Sequence, residues 1–299
     1  MLKKQKSLKK KEAITGYLFM APFILGFLVF QFIPIVMSLV LSFINFNSLK
    51  AVKNLKFVGF SNYKKVFSDD IAIQSFIRSF RFAIVFVIIM VVASLLMALL
   101  INKQFYFRKT LRTMIYLPYV SNVIAISMAW RIILDPAKGP VNTFLKLLGV
   151  NNLPMWLDST DMALPTIAVI NIWTIMAFQT IIFLAALQGV PKLLYEAAEI
   201  DGASKIRKFI SITLPMISPT TFLVVIVSII SSFKNYAIVL GLTNGGPGTA
   251  SRVIALNIYE EAFMYNKYSY ASTQALLLFG IILIITIIQW KGQKKWVHY

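Results

Sequence analysis

The side chains that most often do chemistry are scarce in this chain of 299 residues. Cysteine is absent, and the single histidine, His298, stands next to the last residue. Without thiols there is no disulfide, thiol nucleophile or cysteine metal ligand. A lone histidine in a tail reads as a solvated surface group, not as a zinc ligand or general base. No G-x-x-x-x-G-K-S/T loop is present to cradle nucleotide phosphates. Neither a catalytic nor a metal site is therefore expected. Three groupings remain. Ser228, Ser231, Ser232 and Asn235 follow one another at i, i+3, i+4 and i+7, one stripe of a helix. Asn171, Thr174 and Phe178 repeat that arrangement at i, i+3 and i+7. Hydroxyls and amides beside an aromatic ring suit a neutral, hydroxyl-rich solute. The same residue types also sit between membrane helices as packing contacts, and the two readings weigh equally, with Ser228 and Asn235 the better candidates for solute contact. The third grouping is an acidic-alanine run, Tyr195-Glu196-Ala197-Ala198-Glu199-Ile200-Asp201-Gly202-Ala203-Ser204.

The elements that must position these groups follow from composition. Apolar residues make up 58% of the chain and the mean hydropathy is +0.75, well above the roughly 45–50% apolar content of soluble domains. Six runs contain no Asp, Glu, Lys, Arg or His: Ile14–Ile44, Phe82–Ile101, Thr113–Trp130, Met162–Val190, Phe209–Phe233 and Tyr268–Trp290. About 20 apolar residues suffice to cross a hydrocarbon core of ~30 Å as a helix. The expected fold is all-α and integral to the membrane, with six transmembrane helices. The first run, preceded by six lysines, is too long for a signal-peptide core and lacks a small-residue cleavage site, so it is expected to stay attached. Two regions are expected: residues 1–75, with a cytoplasmic tail, the first span and an outer loop, and residues 76–299, a five-helix core with the acidic-alanine loop at 191–215.

Basic residues set the orientation. The segments 1–13, Asn102–Arg112, Pro191–Lys208 and 291–299 hold 17 Lys/Arg in 51 residues, against 13 in the 102 residues of Asn45–Arg81, Arg131–Asp161 and Lys234–Lys267. The first set, with both termini, is expected in the cytoplasm. The net charge of +19 then reflects topology and attraction to anionic membrane lipid. It does not indicate a nucleic-acid partner, which would need a soluble basic face.

Charged residues inside a membrane mark proton and ion relays, and the six runs contain none. That argues against a proton-driven carrier; a sodium-coupled carrier working through carbonyls and hydroxyls stays open. A membrane enzyme would need a catalytic constellation that this chain lacks. Any energy input is expected from another subunit.

Local chemistry makes the stretch after the fourth run a helical hairpin. Pro191 suits a first helical turn, and Leu193, Leu194, Ala197 and Ala198 recur at helical spacing. Gly202 can adopt the left-handed conformation that ends a helix. Ser204 is a ready N-cap for a second helix through Lys205-Ile206-Arg207-Lys208 toward Pro215. The small Ala197 and Ala198 permit close approach of a partner, and Glu196 offers it a carboxylate. Pro118, Pro215 and Pro219 are expected to kink or start helices.

The full spacing E-A-A-x3-G-x9-I-x-L-P, carried by Glu196-Ala197-Ala198, Gly202, Ile212 and Leu214-Pro215, resembles the coupling loop of binding-protein-dependent ABC importer permeases. Further residues extend the resemblance: Gly59-Phe60-Ser61-Asn62-Tyr63, Arg112 with Leu117-Pro118, Trp130, and Gly139 with Asn142. Thr243-Asn244-Gly245-Gly246-Pro247-Gly248, followed by Tyr259 and Ala262-Phe263, is similar to an outer loop of the first permease in sugar importers of the maltose and glycerol-phosphate type. Two positions depart from that pattern: Ser269-Tyr270-Ala271 stands where Gly-Tyr-Ala is common, and Thr273 where Ala is frequent.

The resemblance implies the type I importer permease fold and a complex of this chain with a second, homologous permease. Two ATPase subunits carrying ATP and Mg, an extracytoplasmic solute-binding protein and a sugar complete it. Glu196, Ala197, Ala198, Asp201 and Gly202 would couple to the ATPases, with Tyr195–Asp201 seated in their clefts, in a cell membrane of bacterial type. The absence of basic residues from the two polar stripes favours a neutral oligosaccharide, although Lys234 lies close to the end of one of them.

Overall fold

A computed structural model describes residues 2–46, 55–103 and 106–295; His298 lies outside them. The chain forms two compact units, one of Met1–Val66 with Glu261–Leu276 and one of Phe67–Glu260 with Leu277–Tyr299.

In the first unit, helices α1 (Leu2–Phe27) and α2 (Ile33–Ser42) are joined through one wide π-turn, Leu28–Phe32. From Glu12 to Ser42 they form one 31-residue span. Its apolar Phe19, Phe23 and Phe30 are largely exposed, as on a helix facing lipid or another subunit. The span ends where Ser42 is buried and two short antiparallel strands pair Ile44 with Phe57 and Asn45 with Lys56. The Gly59-to-Tyr63 motif locks this end. Gly59 takes φ +55°, a conformation that costs glycine little. Asn62 Nδ2, in helix α3 (Ser61–Ser68), donates to the carbonyls of Ser42 at 2.8 Å and Ile44 at 3.1 Å. Tyr63 meets Ser42 Oγ at 3.0 Å. The departure at position 269 has a local reason. Ser269 Oγ accepts from the Phe46 amide at 2.8 Å and lies 3.3 Å from the Phe46 carbonyl, a clamp that glycine could not form. Thr273 returns its hydroxyl to the Ser269 carbonyl at 2.8 Å.

The second unit is built on α4 (Asp70–Asn102) and a long partner laid along it. Asp69 caps α4, accepting from the amides of Ile71 and Ala72. Next come α5 (Arg108–Val120), α6 (Val123–Ile133) and α7 (Pro140–Leu147). Helix α8 (Ala163–Gly189) is that long partner, and α9 (Lys192–Ile200), α10 (Lys205–Lys208) and α11 (Leu214–Met216) form the hairpin and the approach to α12 (Ser218–Lys234). Short α13 (Ala237–Thr243) and α14 (Ile254–Tyr259) precede α15 (Tyr268–Gly292), which begins in the first unit and ends in the second. Phe82, Phe86 and Met90 of α4 pack with Ile167 and Ile170 of α8 and Val239 and Leu242 of α13. Toward the other end, Ala98 and Ile101 meet Ala177, Phe183 and Leu187 of α8 and Val224 of α12. Gly241 lets α13 press on α6, since a Cβ there would stand 2.6 Å from Ser127 Cβ.

Among the described residues, four helices are long and apolar enough to cross a membrane unbroken, and two bent pairs, each counted as one span, bring the number to the six expected. The third run turns by 105° between α5 and α6. Its corner lies just after Pro118, where Asn122 Oδ1 caps α6 by accepting from Ile124 and Ala125. The fifth run turns by 67° between α11 and α12. Pro219 cannot donate to the Pro215 carbonyl, and Ser218 Oγ donates there instead at 2.6 Å. Both corners fall beside expected prolines.

Candidate functional site

The hairpin at 191–215 is built almost as its residues dictate. Pro191 holds the cap position with φ −59° and ψ 127°, one residue ahead of the first turn expected for it. Helix α9 ends as Gly202, at φ +73°, swings the chain round so that the Gly202 and Ala203 amides reach the Glu199 and Ala198 carbonyls. Ser204 Oγ then accepts from the Arg207 amide at 3.3 Å, capping α10.

Two side-chain bridges close the hairpin. Lys208 Nζ donates to Glu199 Oε1 across the turn. That hydrogen bond, and then the lysine charge, hold the Glu199 carboxyl below its ordinary value. Tyr195 Oη lies 2.9 Å from Thr213 Oγ1, and Tyr195 and Ile212 pack against the inner core beside Leu187 and Val190. The base of the hairpin is thus anchored to the bundle while its outer face is left uncovered by the described residues. No residue of α9 is buried. Leu193 is 73% exposed, Ile200 88% and Ile206 72%. Glu196, Ala197, Asp201 and Gly202 are exposed and Ala198 is half-buried. A cavity of about 250 Å3 opens between the arms, lined by Ala198, Asp201, Gly202, Arg207 and Ser211 among others. The Glu199–Lys208 pair was not singled out from sequence, though an acid and a base flanking a glycine turn is the available signal.

The polar stripes divide by accessibility. Asn171, Thr174, Ser228 and Ser232 are buried within the chain. Thr174 and Ser232 return their hydroxyls to their own helices, at 2.8 Å to Ile170 and 2.7 Å to Ile229. Asn171 Nδ2 and Ser228 Oγ are buried without a hydrogen-bond partner among the described residues. Ser231 and Asn235 are half-buried, and Phe178 is exposed, stacked on Tyr119 at 6.1 Å. The stripes therefore do not form one open face: four members point into the bundle, and three reach its surface.

Sequence reasoning also missed a charged network in the Gly-Pro loop. Asn244 takes a left-handed turn, Ser251 Oγ donates to the Gly246 carbonyl at 2.6 Å, and Arg252 pairs with nearly buried Glu260 at 2.9 Å. An acid at the end of an apolar stretch was the signal for Glu260.

A family model described as the binding-protein-dependent transport system inner membrane component matches residues 90–291. A probable ABC transporter permease protein of Bacillus subtilis (strain 168), YesP, is 32% identical, over all of this chain and 96% of its own. The trehalose/maltose transport system permease protein MalF of Thermococcus litoralis is 31% identical, over 95% of each chain. Among solved structures, a chain of a bacterial alginate ABC transporter, in complex with an alginate pentasaccharide-bound periplasmic protein, superposes with a TM-score of 0.81 at 24% identity. That match covers 95% of this chain and 94% of the other, and it shows the shared fold. An exposed hairpin with the E-A-A-x3-G spacing, six spans of which two are bent, and a family match over two thirds of the length converge. The chain is a multi-pass cell-membrane protein belonging to the family of binding-protein-dependent ABC importer permeases.

Proposed function

We propose that this permease passes a sugar, specifically a neutral oligosaccharide handed over by an extracytoplasmic solute-binding protein, and that both of its termini lie in the cytoplasm. It works beside a second, homologous permease above two ATPase subunits. ATP and Mg are bound and hydrolysed on those partners, and this chain needs no cofactor of its own.

The observation that carries the reading is the hairpin, anchored through Tyr195 and Thr213 yet uncovered along α9. Exposed Leu193 and Ile200 with small Ala197 form an apolar face of the kind that a protein cleft buries. Glu196, Ala197, Ala198, Asp201 and Gly202 are its coupling residues. Helix α8 leads directly into the hairpin, and α11 leads out of it to α12. ATP-driven closure of the partners would thus turn both helices as packed bodies between two states. The residues best placed to meet solute are those accessible in this conformation, Phe178, Ser231 and Asn235, while Asn171, Thr174, Ser228 and Ser232 would contribute after rearrangement. A sugar is supported by the relative named for trehalose and maltose, and neutrality by the lack of basic residues in either stripe.

The test is uptake into vesicles carrying the assembled complex. Glu196→Lys should leave the subunit inserted and assembled but remove ATP-dependent uptake. Wild-type transport by that variant would refute the role of Glu196. Uptake that continues without ATP and stops without sodium would favour a secondary carrier instead.

A further inference from the structure

A cavity of about 440 Å3 lies between the early turns of α4 and the start of α8. Its rim is polar, with Gln74, Arg78, Arg81, Thr160 and Asp161, and its wall is apolar, with Val85, Leu164 and Pro165. Arg78 Nη2 donates to Thr249 Oγ1 at 3.2 Å, but its Nη1 is buried without a hydrogen-bond partner among the described residues. Arg81 is exposed and forms no ion pair among the described residues. Arg252, whose charge Arg78 senses, is already engaged by Glu260. Asp161 is the one carboxylate on the rim, so two arginines face one acid.

The position of its lining along α4 and α8 says what the cavity fits. Helix α4 has 33 residues, about 50 Å of helix, so roughly 20 Å exceeds the ~30 Å hydrocarbon core. Its charge-free run begins at Phe82, directly after Arg81, and that of α8 begins at Met162, directly after Asp161. The cavity straddles the polar-to-apolar boundary of both helices at once. Exposed Ile89 and Val92 on α4 and Val169 on α8 continue the apolar side. A soluble anion would use the rim and leave the wall empty, whereas a phospholipid places its phosphate and its chain in that same order. Arginine forks bind phosphate oxygens bidentately.

We propose that this cavity is a specific site for an anionic phospholipid, with Arg78 and Arg81 holding the phosphate oxygens and Val85, Leu164 and Pro165 receiving the start of an acyl chain. The test uses the assembled transporter in nanodiscs of phosphatidylcholine doped with phosphatidylglycerol, followed by delipidation and native mass spectrometry. Wild type should retain a phosphatidylglycerol molecule at this chain and release phosphatidylcholine. Arg81→Gln, at an exposed position, should lower retention about five-fold, the expectation for one basic residue near a membrane surface. Leu164→Trp, which fills the cavity and leaves every charge in place, should lower it too. Unfolding midpoints in pure phosphatidylcholine, equal among the three proteins, would attribute those losses to the site.

Equal retention by wild type and both variants would overturn the proposal. So would displacement of the lipid by inorganic phosphate alone, which would mark a soluble-anion site. Release of the second permease by Arg81→Gln, with lipid retention unchanged, would assign the arginines to a partner's carboxylate and also overturn it.

Discussion

Single side chains set the local geometry in each unit of this permease. Ser269→Gly removes the hydroxyl that serves both polar groups of Phe46. It should lower unfolding stability by about 1–2 kcal/mol, the cost of leaving a backbone group unsatisfied, read as a lower midpoint in thermal denaturation of the purified protein. An unchanged midpoint would show that the clamp carries no weight. At the hairpin, the Glu199 carboxyl is held low by the Lys208 hydrogen bond. Its contribution is complete at neutral pH and is lost as pH falls through that lowered value. The hairpin of wild type should become more sensitive to an acid-active protease over that range, while Glu199→Gln should be equally sensitive throughout. The hairpin was legible in sequence because its chemistry is local: a glycine turn, a serine cap and small residues on one face. Arg252 and Glu260 were not, because the burial that gives their pairing meaning comes from packing.

At the scale of elements, apolar run lengths located every span but not its shape. Composition reports how much chain can lie in lipid, and a corner adds no charged residue to betray it. The prolines marked where corners form, yet the 105° and 67° turns depend on which hydrogen bonds replace those lost. The polar stripes show the same limit. Helical spacing grouped Ser228 with Ser231, Ser232 and Asn235, whereas the packing of α12 turns Ser228 and Ser232 inward. Two element-scale predictions follow from close contacts. Gly241→Ala would set a Cβ 2.6 Å from Ser127 and should destabilise the α6–α13 packing by about 1–3 kcal/mol, as overpacking does. Ser218→Ala frees the Pro215 carbonyl and should cost about 0.6 kcal/mol, the typical worth of a hydrogen bond within a membrane bundle. Chemical denaturation of the variants in detergent would measure both, and a stabilised Gly241→Ala protein would contradict the packing described.

For the whole molecule, the distribution of exposed apolar surface matters more than any one site. Phe19, Phe23 and Phe30 of the first span are largely exposed, apolar surface that suits lipid or another subunit.

The hairpin's two bridges also have a mechanical meaning. Tyr195 to Thr213 at the root and Glu199 to Lys208 across the tip brace it like a truss. Under the proposed coupling, a displacement applied at the tip would be handed on to the two membrane helices it joins. If the hairpin couples to ATPase partners as proposed, slack arms would dissipate the stroke in the loop, and stiffness at this corner would pass it on.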